Sequence, residues 1–319
     1  MSPSERYTDL KRVEHDAKTV LTVGFFDGVH RGHQSVLRKV RNEADRLKAR
    51  SLMVTFDRPP KAVLLGTSVP LLTTLEEKAA LIGSLGISDM VVIPFDHRFA
   101  KLEPHEFVES ILVDRIGVRE IVLGYDHRFG RHGAGDVAAM RELGAAFGFG
   151  VQVVEAETLE GIPCSSTRIR HMLTDAGDVE TAAAHLNRYY TLVGLVVHGD
   201  GRGKRIGFPT ANLRPVDEIK VVPATGVYAV FAKLEQEEGW RQGVMNIGYR
   251  PTVTEGKELV AEVHIIGLEK DLYGQAVEVA FVRRLRDEKR FENLDTLVRQ
   301  IRDDLANCIR VLESVNFLD

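Results

Sequence analysis

Val20-Leu-Thr-Val-Gly24-Phe-Phe-Asp27-Gly-Val-His30-Arg-Gly32-His33 is the stretch on which the reading of the fold turns. Its first five residues read as a buried strand between a polar start and a glycine. Beyond His33, the residues Val36, Leu37, Val40, Ala44 and Leu47 recur on one helical face. Where such a strand turns into such a helix, unpaired N–H groups and the positive end of a dipole meet, which suits phosphate. Gly32 lets a polyphosphate approach the backbone closely. His30 and His33 supply donors to oxygens whose charge grows as an α-phosphorus is attacked. Two nearby histidines alone are more often exposed side chains of a capping turn, but here strand, glycines, His-x-Gly-His and helix coincide. Zinc is the weaker reading, because neither His-Glu-x-x-His nor a cysteine ligand set accompanies the pair.

Outward from this stretch, short apolar runs alternate with helical periodicity. Ser51 to Phe56, Asp89 to Phe95, Glu120 to Gly124 and Gly150 to Glu155 read as strands. Leu75 to Leu85, 105–114 and 135–147 read as helices. The alternation predicts an open, mostly parallel sheet with helices on both faces and ligands beyond the carboxyl ends of its strands. Cys164-Ser165-Ser166-Thr167-Arg168-Ile169-Arg170 follows the last of these strands. Hydroxyls at a helix start cap free N–H groups and also bind phosphate. Arg168 and Arg170 add charge-assisted donors that would neutralise a pyrophosphate leaving group.

The character changes near Asn187. Strands are expected at 189–198, 205–213, 226–234, 240–247, 259–266 and 276–286, with glycine-bearing connections that suggest a small antiparallel barrel. Leu294, Leu297, Val298, Ile301, Leu305, Ile309, Leu312 and Val315 form one stripe, hence a terminal helix packed on that barrel. A helical run, Val179 to Leu186, precedes the boundary, dividing the chain into 1–186 and 187–319. Within the second part, His198-Gly-Asp-Gly-Arg-Gly203-Lys204-Arg205-Ile-Gly207-Phe-Pro-Thr210-Ala-Asn212 fails as a P-loop, because His198 stands where the first glycine belongs and Arg205 where Ser or Thr belongs. What remains is a glycine loop with two cations to cover phosphates. Thr210 and Asn212 would share one strand face, as two neutral oxygen ligands for Mg²⁺. From spacing alone, a barrel hairpin with a glycine-rich turn is an equal reading.

The chain has 319 residues, more than one core usually serves. Its 44% hydrophobic and 28% charged residues fit an ordinary globular protein. The net charge of −4 offers no general basic surface for nucleic acid, so an anionic ligand must be held locally. Two cysteines exclude a disulfide scaffold and a cysteine-built zinc cluster. The start lacks an apolar signal-peptide core, and no run approaches the ~20 apolar residues that cross a bilayer. The expectation is a cytoplasmic protein whose partners are small molecules, with neither nucleic acid nor membrane among them.

Gly24 to His33 together with Ser165 to Arg170 resembles the nucleotidylyltransferase superfamily, whose two signatures grip ATP from both sides. Thr55-Phe56, Leu72-Thr-Thr74, Glu77-Lys78, Pro94-Phe95, Phe99-Ala100 and Gly124-Tyr-Asp126-His-Arg-Phe129-Gly130 narrow the likeness to prokaryotic bifunctional riboflavin kinase/FAD synthetases. So do Gly207 to Asn212, Gly226-Val-Tyr228, Asn246-Ile-Gly248, Arg250-Pro-Thr252, Glu262-Val-His264, Asp271-Leu-Tyr-Gly274 and Arg284-Leu-Arg-Asp-Glu288, in order. The resemblance implies a Rossmann-like nucleotidyltransferase domain followed by a six-stranded barrel. It implies phosphorylation of riboflavin to FMN, then adenylylation of FMN to FAD, with ATP as co-substrate. His30 and His33 would contact the triphosphate, with Gly24, Asp27, Gly32, Ser165, Ser166, Thr167, Arg168 and Arg170 around the nucleotide and Asp126 in the FMN pocket. In the barrel, Gly203, Lys204 and Gly207 would line the phosphates, Thr210 and Asn212 would hold Mg²⁺, and Glu262 would take the proton from the riboflavin 5′-hydroxyl.

Two positions depart from the family pattern. Phe56-Asp57-Arg58-Pro59-Pro60 places Pro59 where the family has histidine, and a proline side chain neither donates a hydrogen bond nor titrates. His127 stands where an aromatic ring is common. The alternative this leaves open is a chain in which only the kinase half turns over.

Overall fold

A computed structural model describes residues 8–199, 201–251 and 257–315. Asp200 and Thr252 lie outside the described residues, as does the side chain of Lys204.

Six strands form the first sheet: β1 (Thr8–Asp9), β2 (Thr19–Val23), β3 (Arg50–Phe56), β4 (Asp89–Ile93), β5 (Val118–Gly124) and β6 (Gly150–Val154). Their order is β1-β4-β3-β2-β5-β6, and every pairing is parallel. The near-continuous apolar runs are explained by covering on both faces. On one face Val20, Met53, Met90, Val92 and Val122 pack beneath α1 (Arg31–Leu47) and α3 (Leu75–Ser84). On the other, Leu21, Leu52, Val54, Val91 and Ile121 meet Phe107 from α4 (Pro104–Phe107) and its π-helical continuation Val108–Ile116, together with Met140 from α5 (Val137–Phe147). Chain order runs outward from β2 to one side and then, with β5, to the other. The switch point that such sheets use for ligands therefore lies at the carboxyl ends of β2 and β5.

The expected helix at 105–114 divides into α4 and the wider π turn, and a short α2 (Pro60–Leu65) joins the set. A hairpin, β7 (Thr158–Leu159) and β8 (Ile162–Pro163), leads to α6 (Ser166–His171). A π turn, Met172–Ala176, and α7 (Val179–Leu186) follow. The compact units divide between Ser166 and Thr167. Thus α7 belongs to the second unit, where Glu180 pairs with Arg283 at 2.8 Å.

That unit is a closed antiparallel ring, β10-β13-β12-β11-β14-β9. Its strands are β9 (Tyr190–Val197), β10 (Ala211–Pro215), β11 (Gly226–Leu234), β12 (Trp240–Pro251), β13 (Lys257–Ile265) and β14 (Ala276–Arg286). The strand expected at 205–213 is displaced. Gly201 and Gly207 take φ of 64° and 85°, Arg202–Arg205 forms the helical turn α8, and extended pairing begins only at Ala211, past Pro209. The terminal stripe forms α9 (Leu294–Glu313), which lays Cys308, Val311 and Leu312 on Ala229, Phe231, Ala280 and Val282. Burial and a hydrogen bond from Cys308 Sγ to the Gly243 carbonyl (3.2 Å) make that thiol a packing group, its pKa pushed up to about 12.

Candidate active sites

The predicted phosphate turn sits at the end of β2. Phe26, Gly28 and Val29 hold φ of 53°, 79° and 40°, and a β-branched residue in that region is a rare conformation. Such residues cost on the order of 1–3 kcal/mol each and persist where their surroundings over-determine them. Here Asp27, 2% exposed, accepts through Oδ1 from the N–H groups of Leu72 (2.9 Å) and Thr73 (3.2 Å). Thr73 Oγ1 in turn accepts from Gly28 N–H at 3.0 Å. Asp27 therefore shapes the loop from within, and a carboxylate so placed has no need to reach the nucleotide itself.

His30 caps α1, its Nδ1 accepting from His33 N–H at 3.4 Å, which puts the proton of the neutral ring on Nε2. The His30 and His33 rings stack at 3.6 Å, and His33 also meets Phe26. The structure thus brings both histidines to the helix N-terminus, as expected. A side chain at Gly24 would collide with the Phe26 ring, and one at Gly32 would press on the His30 imidazole. Ser166 Oγ donates to the Asp27 carbonyl at 2.8 Å, joining the second signature to the first loop. Ser165 precedes it in the same unit; Thr167, Arg168 and Arg170 continue along α6 into the second unit. Ser35 Oγ donates to Glu157 at 3.0 Å, so the hairpin that leads to Ser165 is tied to α1. Nothing in the sequence signals that tie, since the partners lie 122 positions apart.

Asp126 occupies the loop after β5, the strand next to β2, and is exposed with its neighbour Tyr125. His127 turns inward and stacks near Phe129, its Nε2 sealed from solvent and without a hydrogen-bond partner. Burial pulls its pKa down to about 4, so the ring is neutral near pH 7. Pro59 is the N-cap residue of α2 and offers it no side-chain cap. Arg58 is exposed, 3.7 Å from Asp57.

In the barrel, strand register decides which side chains share a face. Ala261, Val263 and Ile265 are buried, which turns Glu262 and His264 outward. Asn212 pairs directly with Glu262 across β10 and β13, and Asn246 pairs with Glu262 from β12. Directly opposed residues share a face with Cβ atoms about 4.5–5.5 Å apart. Three polar side chains therefore form one row on the outer wall, and Asn246 is the member that spacing alone did not single out. Thr210, exposed, lies just before β10. His264 Nδ1 contacts the Pro209 carbonyl at 2.7 Å, anchoring the segment that leads to Thr210. A side chain at Gly203 would collide with the Phe208 carbonyl and crowd Thr210, and one at Gly199 would strike the Asn212 amide. The loop glycines thus keep the space over this row open. Among the described residues no group of three or more His, Cys, Asp or Glu is placed to hold a metal ion, so a cation here would take oxygens from its substrate as well.

A strained turn with two histidines at the switch point of a parallel sheet, followed by a closed barrel with an outer polar row, defines a chain of two separate α/β and β-barrel parts. The family model for FAD synthetase matches residues 12–168, and that for riboflavin kinase matches residues 186–312. Curated bifunctional riboflavin kinase/FMN adenylyltransferases align over nearly the whole chain. The Bacillus subtilis protein is 36% identical across 95% of both chains. The Escherichia coli K12 protein is 37% identical across 90% of this chain and 91% of its own. A crystal structure from Streptococcus pneumoniae, described as a macrolide-efflux protein, superposes with a TM-score of 0.86 at 28% identity over 94% of this chain and 97% of its own. No helix among the described residues is long and apolar enough to cross a membrane. The chain belongs to the bifunctional riboflavin kinase/FMN adenylyltransferase family.

Proposed function

We propose that residues 187–319 phosphorylate riboflavin to FMN and residues 1–186 adenylylate FMN to FAD, each with ATP. The observation that carries the kinase assignment is the pairing of Asn212 with Glu262. A primary alcohol is a poor nucleophile until its proton has somewhere to go, and Glu262 accepts it as the 5′-oxygen attacks the γ-phosphorus. Thr210 Oγ1 and the Asn212 amide oxygen are hard, neutral donors that fit Mg²⁺ already carrying phosphate oxygens. Bound there, the cation would neutralise charge on the ATP phosphates. Gly203, Lys204 and Gly207 cover those phosphates.

In the first half the nucleophile is already an anion, so positioning and charge neutralisation suffice. His30 and His33 at the start of α1 bind the triphosphate, supported by the Ser166 bond to the Asp27 loop. Gly24 and Gly32 leave room for it. Ser165, Thr167, Arg168 and Arg170 serve the pyrophosphate that leaves, and Asp126 contacts the flavin. The second reading, a kinase whose adenylylating half is weak, is favoured by Pro59 in the place of a titratable donor. Incubation with riboflavin, ATP and Mg²⁺ followed by separation of products decides between them. FAD accumulating after FMN is expected, and FMN alone would select the second reading. The same reading places the protein in the cytoplasm, and fractionation of the producing cell tests that placement.

A further inference from the structure

The strained loop at the end of β2 is gripped from behind by a cation that the chemistry so far does not use. Lys78, on α3, is 2% exposed. Its ammonium donates to the Phe25 carbonyl (2.6 Å) and to Thr55 Oγ1 (3.4 Å), and lies 4.2 Å from the centre of the Phe25 ring. From β3, Thr55 Oγ1 donates to the same carbonyl at 3.1 Å. From the loop, the Asp27 carboxylate is the charge that acts on the lysine, and the 71–74 segment faces Asp27 with Thr73. A charge this deep is costly unless it is hydrogen-bonded, as this ammonium is. Burial pulls its pKa down to about 8, against the opposing pull of Asp27.

We infer that Lys78 is a positioning residue for nucleotidyl transfer, its ammonium clamping the Phe25 carbonyl from the interior so that the Gly24–His30 loop is held in its ligand-binding shape. In a trans peptide the carbonyl and the following N–H point to opposite sides. Drawing the Phe25 oxygen inward therefore turns the Phe26 N–H outward, at the start of the left-handed run that carries His30 to the helix. Once the ammonium loses its proton, a charge-assisted bond becomes an ordinary one, and the grip weakens. The inference rests on the first half being the adenylylating one.

The test measures pH profiles of both half-reactions on the full chain, for the wild type, K78M and K78R. In the wild type, kcat/KM for ATP in FMN adenylylation is expected to fall along an alkaline limb centred near pH 8, whereas FMN formation from riboflavin shows no such limb. K78M should lose at least tenfold in adenylylation at pH 7, mainly through a raised KM for ATP, and should lack the limb. Its kinase rate should stay within twofold. K78R, charged throughout the range, should retain adenylylation and move the limb above pH 10. A wild-type profile flat through pH 9 overturns the inference whatever the variants do, and so does K78M adenylylating within twofold of wild type. A wild type that makes no FAD from FMN at any pH is a different failure, because it removes the assignment of the first half and the inference with it.

Discussion

Asn212 and Glu262 face each other across two strands, while His33 stacks on His30 at the start of a helix in the other unit. Single substitutions should therefore separate the two activities. N212A is expected to lower FMN formation about a hundredfold or more, the usual cost of one lost electrostatic ligand, while FMN supplied directly is still adenylylated. H33A should show the reverse selectivity, and product analysis with each substrate checks both. His127 makes a prediction of another kind. Folding keeps its ring neutral down to about pH 4, whereas the unfolded chain protonates it near the ordinary value of 6.5. The unfolded state thus binds more protons between these values, and stability should decline as pH falls through that window. Replacing the unpartnered ring by phenylalanine should flatten the decline, seen as a higher thermal midpoint at pH 5 than wild type by circular dichroism. At this scale the sequence pointed to the residues that the structure places around the β2–α1 turn and along the Asn212–Glu262 row. It could not identify Lys78, whose role depends on a carbonyl 53 positions away, or Asn246, which enters through register alone.

Helix α9 shows how much of an element periodicity reveals. Its apolar stripe was readable, and so was the barrel beneath it. The pair that pins it was not, because Arg286 and Asp304 look like two surface charges among many. In the fold, Arg286 meets both Asp304 oxygens, at 3.0 Å through Nε and at 2.7 Å through Nη2, and Gln300 adds a donor at 2.9 Å. Their side chains are only 16% and 8% exposed. D304A deprives a largely buried guanidinium of its carboxylate and should cost about 3 kcal/mol. Trp240, the one tryptophan, lies on β12 under this helix and reports the loss in a urea titration. The displaced β10 marks the opposite case. Apolar and polar residues alternate plausibly from 205 onward, but glycines with positive φ divert the chain until it has passed Pro209. The Asp200-Gly201 pair announces a turn, but alternation does not show how far the diverted segment runs before pairing resumes.

For the molecule as a whole, two half-reactions linked only through FMN as their intermediate should complement in trans. An equimolar mixture of the N212A and H33A proteins is expected to convert riboflavin to FAD although neither does so alone. No FAD from the mixture would mean that FMN does not pass freely between chains. The two-part plan was legible because each half has its own hydrophobic rhythm, in one case strand alternating with helix and in the other strand after strand. Where the compact units part was less so, since α7 follows the first rhythm in sequence and packs with the second in space.

The closed ring has a further consequence. Each of its strands is hydrogen-bonded on both sides, so none displays a row of unused N–H and C=O groups for a second copy to extend. The open sheet lacks that protection. Among the described residues one of its margins, β1, is two residues long, so the longer edge at β6 is where crowding or partial melting would first let chains stack into fibrils.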